Sequence, residues 1–111
     1  LLQSSAASDV YKRQTDNTYR VTDMVEKPDP KDVSTNMAII GRYILTPDIF
    51  DILRNTKPGK GGEIQITDAL LIQAKQGKVI AYKFKGTRFD CGSIEGYVKA
   101  TNHFAKQHGV I

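Results

Sequence analysis

The near-continuous apolar run MAIIGRYIL, residues 37–45, constrains the fold more than any other stretch of this sequence. A run of strand length that is broken only by Gly41 and Arg42 is typical of a β-strand buried on both faces. The glycine in its middle predicts a bulge, or a close approach of the backbone to another group. We therefore expect this run to form an interior strand of a sheet.

Two further segments predict strands, because apolar and polar residues alternate over residues 19–27 and 79–84. Residues 88–91 suggest one more short extended piece. With three helices between and after these segments, the predicted order is β-β-α-α-β-β-α. This order favours the α/β class with a mixed sheet.

The three predicted helices each carry a recognisable start or stop. Thr46 as N-cap, followed by Pro47, predicts a helix ending near residue 55. Thr67 as N-cap and Gly77 as a left-handed stop bound the second helix. Ser93 caps the third, whose apolar stripe follows i, i+3, i+4, i+7 spacing at Tyr97, Ala100, Thr101, Phe104 and Ala105.

The first 18 residues differ from the rest of the chain. They are mostly polar and show no sustained period, which predicts a disordered lead-in. The piece ASDVYKRQ also resembles translated sequencing-adaptor sequence, which would make this lead-in an artefact. We therefore divide the chain into a lead-in at 1–18 and part of one domain at 19–111.

Composition limits the classes of partner and compartment. With 40% hydrophobic and 25% charged residues, the chain has the composition of a soluble globular protein. No apolar run approaches the roughly 20 residues that span a bilayer. Cys91 is the only cysteine, so an intrachain disulfide is impossible and the cytoplasm is the expected compartment. As a lone thiol without an activating partner, Cys91 is expected to be a small buried residue.

The net charge of +4 favours anionic partners without identifying them. Phosphorylated small molecules and nucleic acid both remain open on this ground. Lysines are scattered along the sequence, and no alternation of aromatic and basic residues appears. We therefore treat nucleic-acid binding as the minor alternative.

Glu26 and Lys27 stand next to Pro28, which cannot donate to a sheet ladder and so predicts the end of a strand. Side chains alternate along a strand, so the two charges should point to opposite faces unless the end twists or bulges. One interpretation is an exposed ion pair that contributes little to stability. The other is a pair of binding groups, since such groups concentrate where strands end.

The other candidate binding groups in the sequence give weaker signals than Glu26 and Lys27. The loop KPGKGG, residues 57–62, is glycine-rich but follows a predicted helix, unlike a phosphate-binding loop. His103 and His108 are five residues apart, so they lie on different faces of their helix and should not share a metal. Asp90 precedes a capped helix, where it is either a structural hydrogen-bonding carboxylate or a ligand group. The residues alone thus indicate an α/β domain with an anionic-ligand site.

Four segments in this order and spacing are far more specific: VEKP (25–28), NMAIIGRYIL (36–45), GGEIQITDA (61–69) and FDCGSIEGYVKA (89–100). From residue 19 onward, the chain resembles the C-terminal part of the bacterial UTP–glucose-1-phosphate uridylyltransferases, a branch of the sugar nucleotidyltransferases. The resemblance implies a Rossmann-like nucleotidyltransferase fold with a mixed sheet. It implies transfer of a uridylyl group from UTP to glucose 1-phosphate, giving UDP-glucose and pyrophosphate with Mg²⁺ as cofactor. A relative acting on another base or sugar is the alternative.

The resemblance also implies roles for individual residues. Glu26 matches the carboxylate that accepts hydrogen bonds from glucose hydroxyls, and Lys27 matches the catalytic lysine at the sugar-side phosphate. Asn36 matches an amide that contacts the sugar, and Gly41 lies in the strand lining the same pocket. Asp90 matches a catalytic carboxylate that binds Mg²⁺.

The resemblance has limits that bear on activity. Ile94 stands where many relatives carry a lysine, and Glu63 is assigned a structural role rather than a catalytic one. The family's nucleotide-binding loop and first metal-binding carboxylate lie upstream of the matching region. We expect the chain alone to be inactive, and the full-length protein to be a cytoplasmic homo-oligomer without nucleic-acid or membrane partners.

Overall fold

The computed structural model describes residues 6–15, 17–32 and 35–111. Within these residues, three strands are followed by two helices, a fourth strand and a third helix. In order they are β1 (Ala6–Thr15), β2 (Thr18–Glu26), β3 (Ala38–Ile39), α1 (Ile49–Asn55), α2 (Ile66–Lys75), β4 (Ile80–Tyr82) and α3 (Ile94–Gln107). Short 3-10 turns cover Pro30–Asp32 and Lys60–Gly62. None of the described helices is both long and apolar enough to cross a membrane.

The strands form one sheet in the order β3-β1-β2-β4. β1 and β2 form a hairpin in which Ala6 lies opposite Glu26 and Thr15 opposite Thr18, and β2 pairs with β4 on its other side. The predicted α/β class is confirmed. In the described residues, however, all three pairings are antiparallel rather than mixed.

The amino-terminal segment differs from the disordered lead-in that we predicted over residues 1–18. Residues 6–15 form β1, and Thr18 already belongs to β2. A strand pair is held by main-chain hydrogen bonds, so a polar segment without hydrophobic period can still pair with the edge of β2. Residues 1–5 and 16 lie outside the described part, and the domain boundary at residue 19 stays a prediction.

The apolar run at 37–45 also departs from its prediction. Only Ala38 and Ile39 form a strand, and they pair with β1 alone. Gly41 has φ of +79°, in the left-handed region, which ends the extended conformation. The run is not covered on both faces, since Ile40, Tyr43 and Leu45 are exposed and Ile44 is fully exposed. β3 is also an edge strand of the described sheet.

The hydrophobic core lies where α2 packs on β2 and α1 packs on α2. Its buried members are Val21, Met24, Ile49, Ala69, Leu70 and Ala74. A buried amide also joins the two helices, because Gln73 Nε2 donates to the Asp48 carboxylate across 3.1 Å. A hydrogen bond from the Thr46 hydroxyl, and secondly this one from Gln73, lower the pKa of the Asp48 carboxyl. The core therefore fixes α2 firmly against the strand that carries Glu26.

The structure corrects two of the predicted helix N-caps, Thr46 and Thr67. It confirms Ser93 as the N-cap of α3 and Gly77 as the end of α2. The Thr46 side chain donates to Asp48 rather than accepting a main-chain N–H, and Thr67 lies inside α2. Ser93 does cap α3, since its hydroxyl accepts from Gly96 N–H at 3.0 Å. Gly77 has φ of +74° and ends α2 as predicted.

The carboxyl-terminal part of the chain packs loosely. α3 has no buried residue, and its main side-chain contacts join His103 to Phe89 and Phe104, with ring centroids 5.1 and 5.2 Å apart. Residues 88–91, predicted to be a short extended piece, form no strand. Cys91 is exposed rather than buried as predicted.

Candidate functional site

The end of β2 and the beginning of α2 border a cleft of about 520 Å³. Glu26, the last residue of β2, lies in it. The strand stops here because Lys27 has φ of +45° and Pro28 cannot donate to the ladder. The cleft is lined by Asp23, Met24, Val25, Glu26, Pro28, Asp29, Asp32, Asp68 and Leu71.

The left-handed conformation of Lys27 resolves the question of alternation raised by the sequence. A non-glycine residue with positive φ is uncommon and breaks the regular geometry of a strand. The alternation of side chains along β2 therefore ends at Glu26. The two charged residues are not constrained to opposite faces of the sheet.

A buried threonine holds the Glu26 carboxylate. Thr67, in the first turn of α2, is only 1% exposed, and its hydroxyl donates a hydrogen bond to Glu26 Oε2. Sequence analysis missed this contact because it assigned Thr67 to a helix cap. A signal was present: Thr67 precedes Leu70 and Ala74 by three and seven residues, which places it on the core-facing side of the helix.

Tyr43 also lies within electrostatic reach of Glu26. Partial burial, and secondly the negative charge of Glu26, raise the pKa of the Tyr43 phenol above its ordinary value of 10.0. Tyr43 belongs to the exposed run after Gly41, and sequence analysis gave it no role in the site. Tyr43 is therefore a neighbour of Glu26 that the sequence did not indicate.

The cleft carries a strongly acidic lining. Five carboxylates border it, at Asp23, Glu26, Asp29, Asp32 and Asp68, and two of them form loose ion pairs with lysines at 3.8 and 3.9 Å. Carboxylates accept hydrogen bonds from hydroxyl groups and repel phosphates. The chemistry of this surface therefore suits the hydroxyl-bearing part of a ligand better than its phosphates.

The residues predicted for the site are not all gathered in this cleft. Among the described residues, those that line it include Glu26 but not Lys27, Asn36, Gly41 or Asp90. Gly41 has φ of +79° and no protein atom within 4 Å of the place where a Cβ would stand, so no described residue approaches it closely. The roles that we predicted for these residues stay predictions.

Asp90 occupies an exposed turn before α3. Its Oδ1 accepts a hydrogen bond from Gly92 N–H at 3.0 Å, and its carbonyl oxygen lies against Gly96. Within the described part of the chain, no three His, Cys, Asp or Glu side chains are grouped to hold a metal. Mg²⁺ is commonly bound by one or two carboxylates together with substrate phosphates, so an exposed single carboxylate fits this chemistry.

The chain thus combines an α/β domain with a carboxylate-lined cleft at the end of β2. The sequence model of the nucleotidyl transferase family, described as "Nucleotidyl transferase", matches residues 11–107. The chain belongs to this family. The match includes the second half of β1 and every later strand and helix of the described residues, to the end of α3.

Within this family, the similar proteins include UTP–glucose-1-phosphate uridylyltransferases. The chain is 70% identical, over 93 residues, to a UTP–glucose-1-phosphate uridylyltransferase of Pseudomonas aeruginosa, covering 84% of the chain and 33% of that protein. A protein of the same name from Streptococcus pyogenes is 48% identical over 81% of the chain and 30% of its own length. The chain thus spans about a third of these relatives.

The solved structures that resemble this chain include UDP-glucose pyrophosphorylases. A UDP-glucose pyrophosphorylase complexed with UDP-glucose matches with a TM-score of 0.87 and 53% identity, over 96% of this chain and 40% of the other. A UTP-bound relative from Acinetobacter baumannii matches with a TM-score of 0.77 and 34% identity, over 97% and 36%. The nucleotidyltransferase fold that the motifs implied is confirmed.

Proposed function

We propose that the chain is part of an enzyme that transfers the uridylyl group of UTP to α-glucose 1-phosphate, forming UDP-glucose and releasing pyrophosphate. The observation that carries this proposal is the structural likeness to a UDP-glucose-bound relative across almost the whole chain. The placement of Glu26 in a carboxylate-lined cleft supports it independently, because such a lining suits sugar hydroxyls.

In this reaction, a phosphate oxygen of glucose 1-phosphate attacks the α-phosphorus of UTP, and the bond from that phosphorus to the pyrophosphate oxygen breaks. Catalysis of this kind depends mainly on positioning and on neutralising charge. Glu26 would accept hydrogen bonds from glucose hydroxyls, and Lys27 would neutralise the sugar-side phosphate. Asn36 would contact the sugar, and Gly41 would leave space for it.

Asp90 would hold Mg²⁺ together with phosphate oxygens of the substrates. Bound there, the ion would neutralise charge on the phosphates. The exposed position of the Asp90 carboxylate supports this assignment. The hydrogen bond that its Oδ1 accepts from Gly92 N–H also holds the carboxylate in place within the turn. The Asp90→Ala variant should lose Mg²⁺-dependent turnover.

The remaining expectations concern the whole protein. Since the chain spans about a third of its relatives, we propose that it does not turn over substrate alone. We further propose a homo-oligomeric, cytoplasmic enzyme whose ligands are UTP, glucose 1-phosphate and UDP-glucose rather than nucleic acid. The single cysteine is compatible with a reducing compartment.

The test completes the chain with the remaining two thirds of the Pseudomonas aeruginosa relative and measures pyrophosphate release with a panel of nucleoside triphosphates. We expect turnover with UTP and glucose 1-phosphate, a marked loss on Glu26→Ala or Lys27→Ala, and no turnover by the 111-residue chain. Preference for another triphosphate, or full activity of both variants, would contradict the proposal.

A further inference from the structure

The hydrogen bond between Thr67 and Glu26 connects two elements that are 41 residues apart in sequence. It joins the end of β2, where the strand leaves regular geometry, to the first turn of α2, which the core packs firmly against the same strand. The threonine is almost completely buried, whereas Glu26 is partly accessible from the cleft. The contact therefore runs from the interior toward the ligand-facing group.

The other described threonines with a helical partner behave differently. Thr56 and Thr101 donate to carbonyl groups four residues earlier, Ile52 O at 2.7 Å and Tyr97 O at 2.8 Å, which is the usual local bond of a helical threonine. Thr67 lies in a first turn, where its hydroxyl is not committed to the helix behind it. A buried hydroxyl needs a partner, and here the partner is the Glu26 carboxylate.

We propose that Thr67 is a positioning residue, whose hydroxyl orients the Glu26 carboxylate for the hydroxyl groups of the sugar. This inference rests on the proposed function. Thr67 occupies one oxygen of the carboxylate and restricts its rotation, so the second oxygen is presented to the cleft in one orientation. Fixing a binding group before the ligand arrives reduces the ordering entropy that binding must overcome.

The test uses the chain completed with the remaining two thirds of the Pseudomonas aeruginosa relative, and compares the dissociation constants of UDP-glucose and UDP by calorimetry. Thr67→Val keeps the shape but removes the donor. We expect it to weaken UDP-glucose binding roughly 10-fold, as for loss of a hydrogen bond to a charged group, while UDP binding is unchanged. Thr67→Ser restores the donor and should bind UDP-glucose nearly as tightly as the parent.

Two controls separate positioning from a general loss of structure. Thr101→Val makes the same substitution where the hydroxyl bonds only its own helix, and should alter neither constant. Combined with Glu26→Ala, Thr67→Val should have no further effect, because a residue that acts through Glu26 has nothing left to orient. Should the valine variant fail to fold, Thr67→Cys, which offers only a weak donor, takes its place with the same expected result.

The possible failures are distinguishable. If Glu26→Ala weakens UDP-glucose binding but Thr67→Val does not, the positioning role is wrong and the proposed function stands. If Thr67→Val weakens UDP and UDP-glucose equally, or Thr67→Ser gives no rescue, the threonine is merely structural. If Glu26→Ala leaves the UDP-glucose constant unchanged, the sugar-binding role of Glu26 fails and the positioning role fails with it.

Discussion

Gly96, in the first turn of α3, lies directly against the backbone of the turn that carries Asp90. A Cβ at this position would stand 1.7 Å from the Asp90 carbonyl oxygen. Gly96→Ala therefore forces the backbone of the turn or of the helix to move, and we expect it to lower the free energy of unfolding by about 1–3 kcal/mol, as for other overpacked sites. Urea unfolding measures the loss.

The matched control for this substitution is Gly92→Ala. Its Cβ would meet only the Asp90 Oδ1 atom, at 3.1 Å, and that atom belongs to a side chain that can rotate. The loss of stability should accordingly be smaller than at Gly96. Equal stability of Gly96→Ala and the parent chain would show that the turn before α3 does not have the described conformation.

Tyr43 predicts a dependence of stability on alkaline pH. Its pKa is raised in the folded state, so the folded chain holds the phenolic proton more tightly than the unfolded chain. The corresponding stability is fully present below pH 10.0 and is lost as the pH rises through the folded pKa. We expect Tyr43→Phe to lose less stability than the parent chain over that range, measured by urea unfolding at several pH values.

Glu26→Gln provides the control for Tyr43, because it removes the charge that contributes to the raised pKa. The difference between parent and Tyr43→Phe should shrink in this background, while the part due to burial remains. A difference that does not change on removing the Glu26 charge would place Tyr43 away from the cleft.

Single residues show where sequence analysis succeeds. Pro28 predicted the end of β2, and Ser93 predicted the start of α3, because both act through their own backbone or through an N–H three residues away. The partnership of Thr67 and Glu26 could not be predicted in this way. It depends on how α2 packs on β2, which no local pattern specifies.

At the scale of elements, the end of α2 is held by a motif with two main-chain hydrogen bonds. Gly77 N–H donates to Ala74 O at 2.9 Å, and Lys78 N–H donates to Gln73 O at 3.0 Å, with Gly77 at φ of +74°. An alanine at position 77 could keep both bonds only in the left-handed conformation, in which its Cβ comes too close to a backbone carbonyl oxygen. We expect a loss of roughly 1–2 kcal/mol in the free energy of unfolding.

Gly109 ends α3 with the same pair of bonds and supplies a comparison. Its N–H donates to Lys106 O, and Val110 N–H donates to Ala105 O. Because α3 has no buried residue, fraying of its end costs little free energy. Gly109→Ala should therefore affect stability less than Gly77→Ala. A larger effect at Gly109 would mean that α3 packs more tightly than described.

The strands illustrate why some elements escape prediction. β2 and β4 were predicted from alternation because each presents one face to the helices. The run at 37–45 has the composition of an interior strand, but composition does not supply a neighbour, and in the described sheet β3 has only β1 beside it. β1 was missed for the opposite reason, since pairing through the main chain does not require an apolar pattern.

At the scale of the whole molecule, large apolar side chains remain in contact with solvent. They occur in the run after Gly41 and on α3, including Ile44, Leu45, Ile94, Tyr97 and Phe104. Extended apolar patches promote association. We expect the isolated chain to sediment as species that grow in size as its concentration rises. The chain completed with the rest of its relative should instead sediment as one homo-oligomer of constant size.

Ile44→Lys offers a sharper version of this experiment. The Ile44 side chain is fully exposed, so the lysine should weaken association without lowering the free energy of unfolding. Ile111→Lys, at the exposed carboxyl terminus, is the matched control and should have the smaller effect. A chain that stays monomeric at every concentration would contradict the prediction.

The left-handed backbone at Lys27 has a consequence for how the protein can be improved. Glycine and asparagine adopt this conformation more readily than lysine, so a library selected for heat resistance should enrich them at position 27. The same library selected for synthesis of the sugar nucleotide should retain lysine. Glycine or asparagine in the first selection and lysine in the second would show that the lysine lowers thermal stability at this position but is needed for activity.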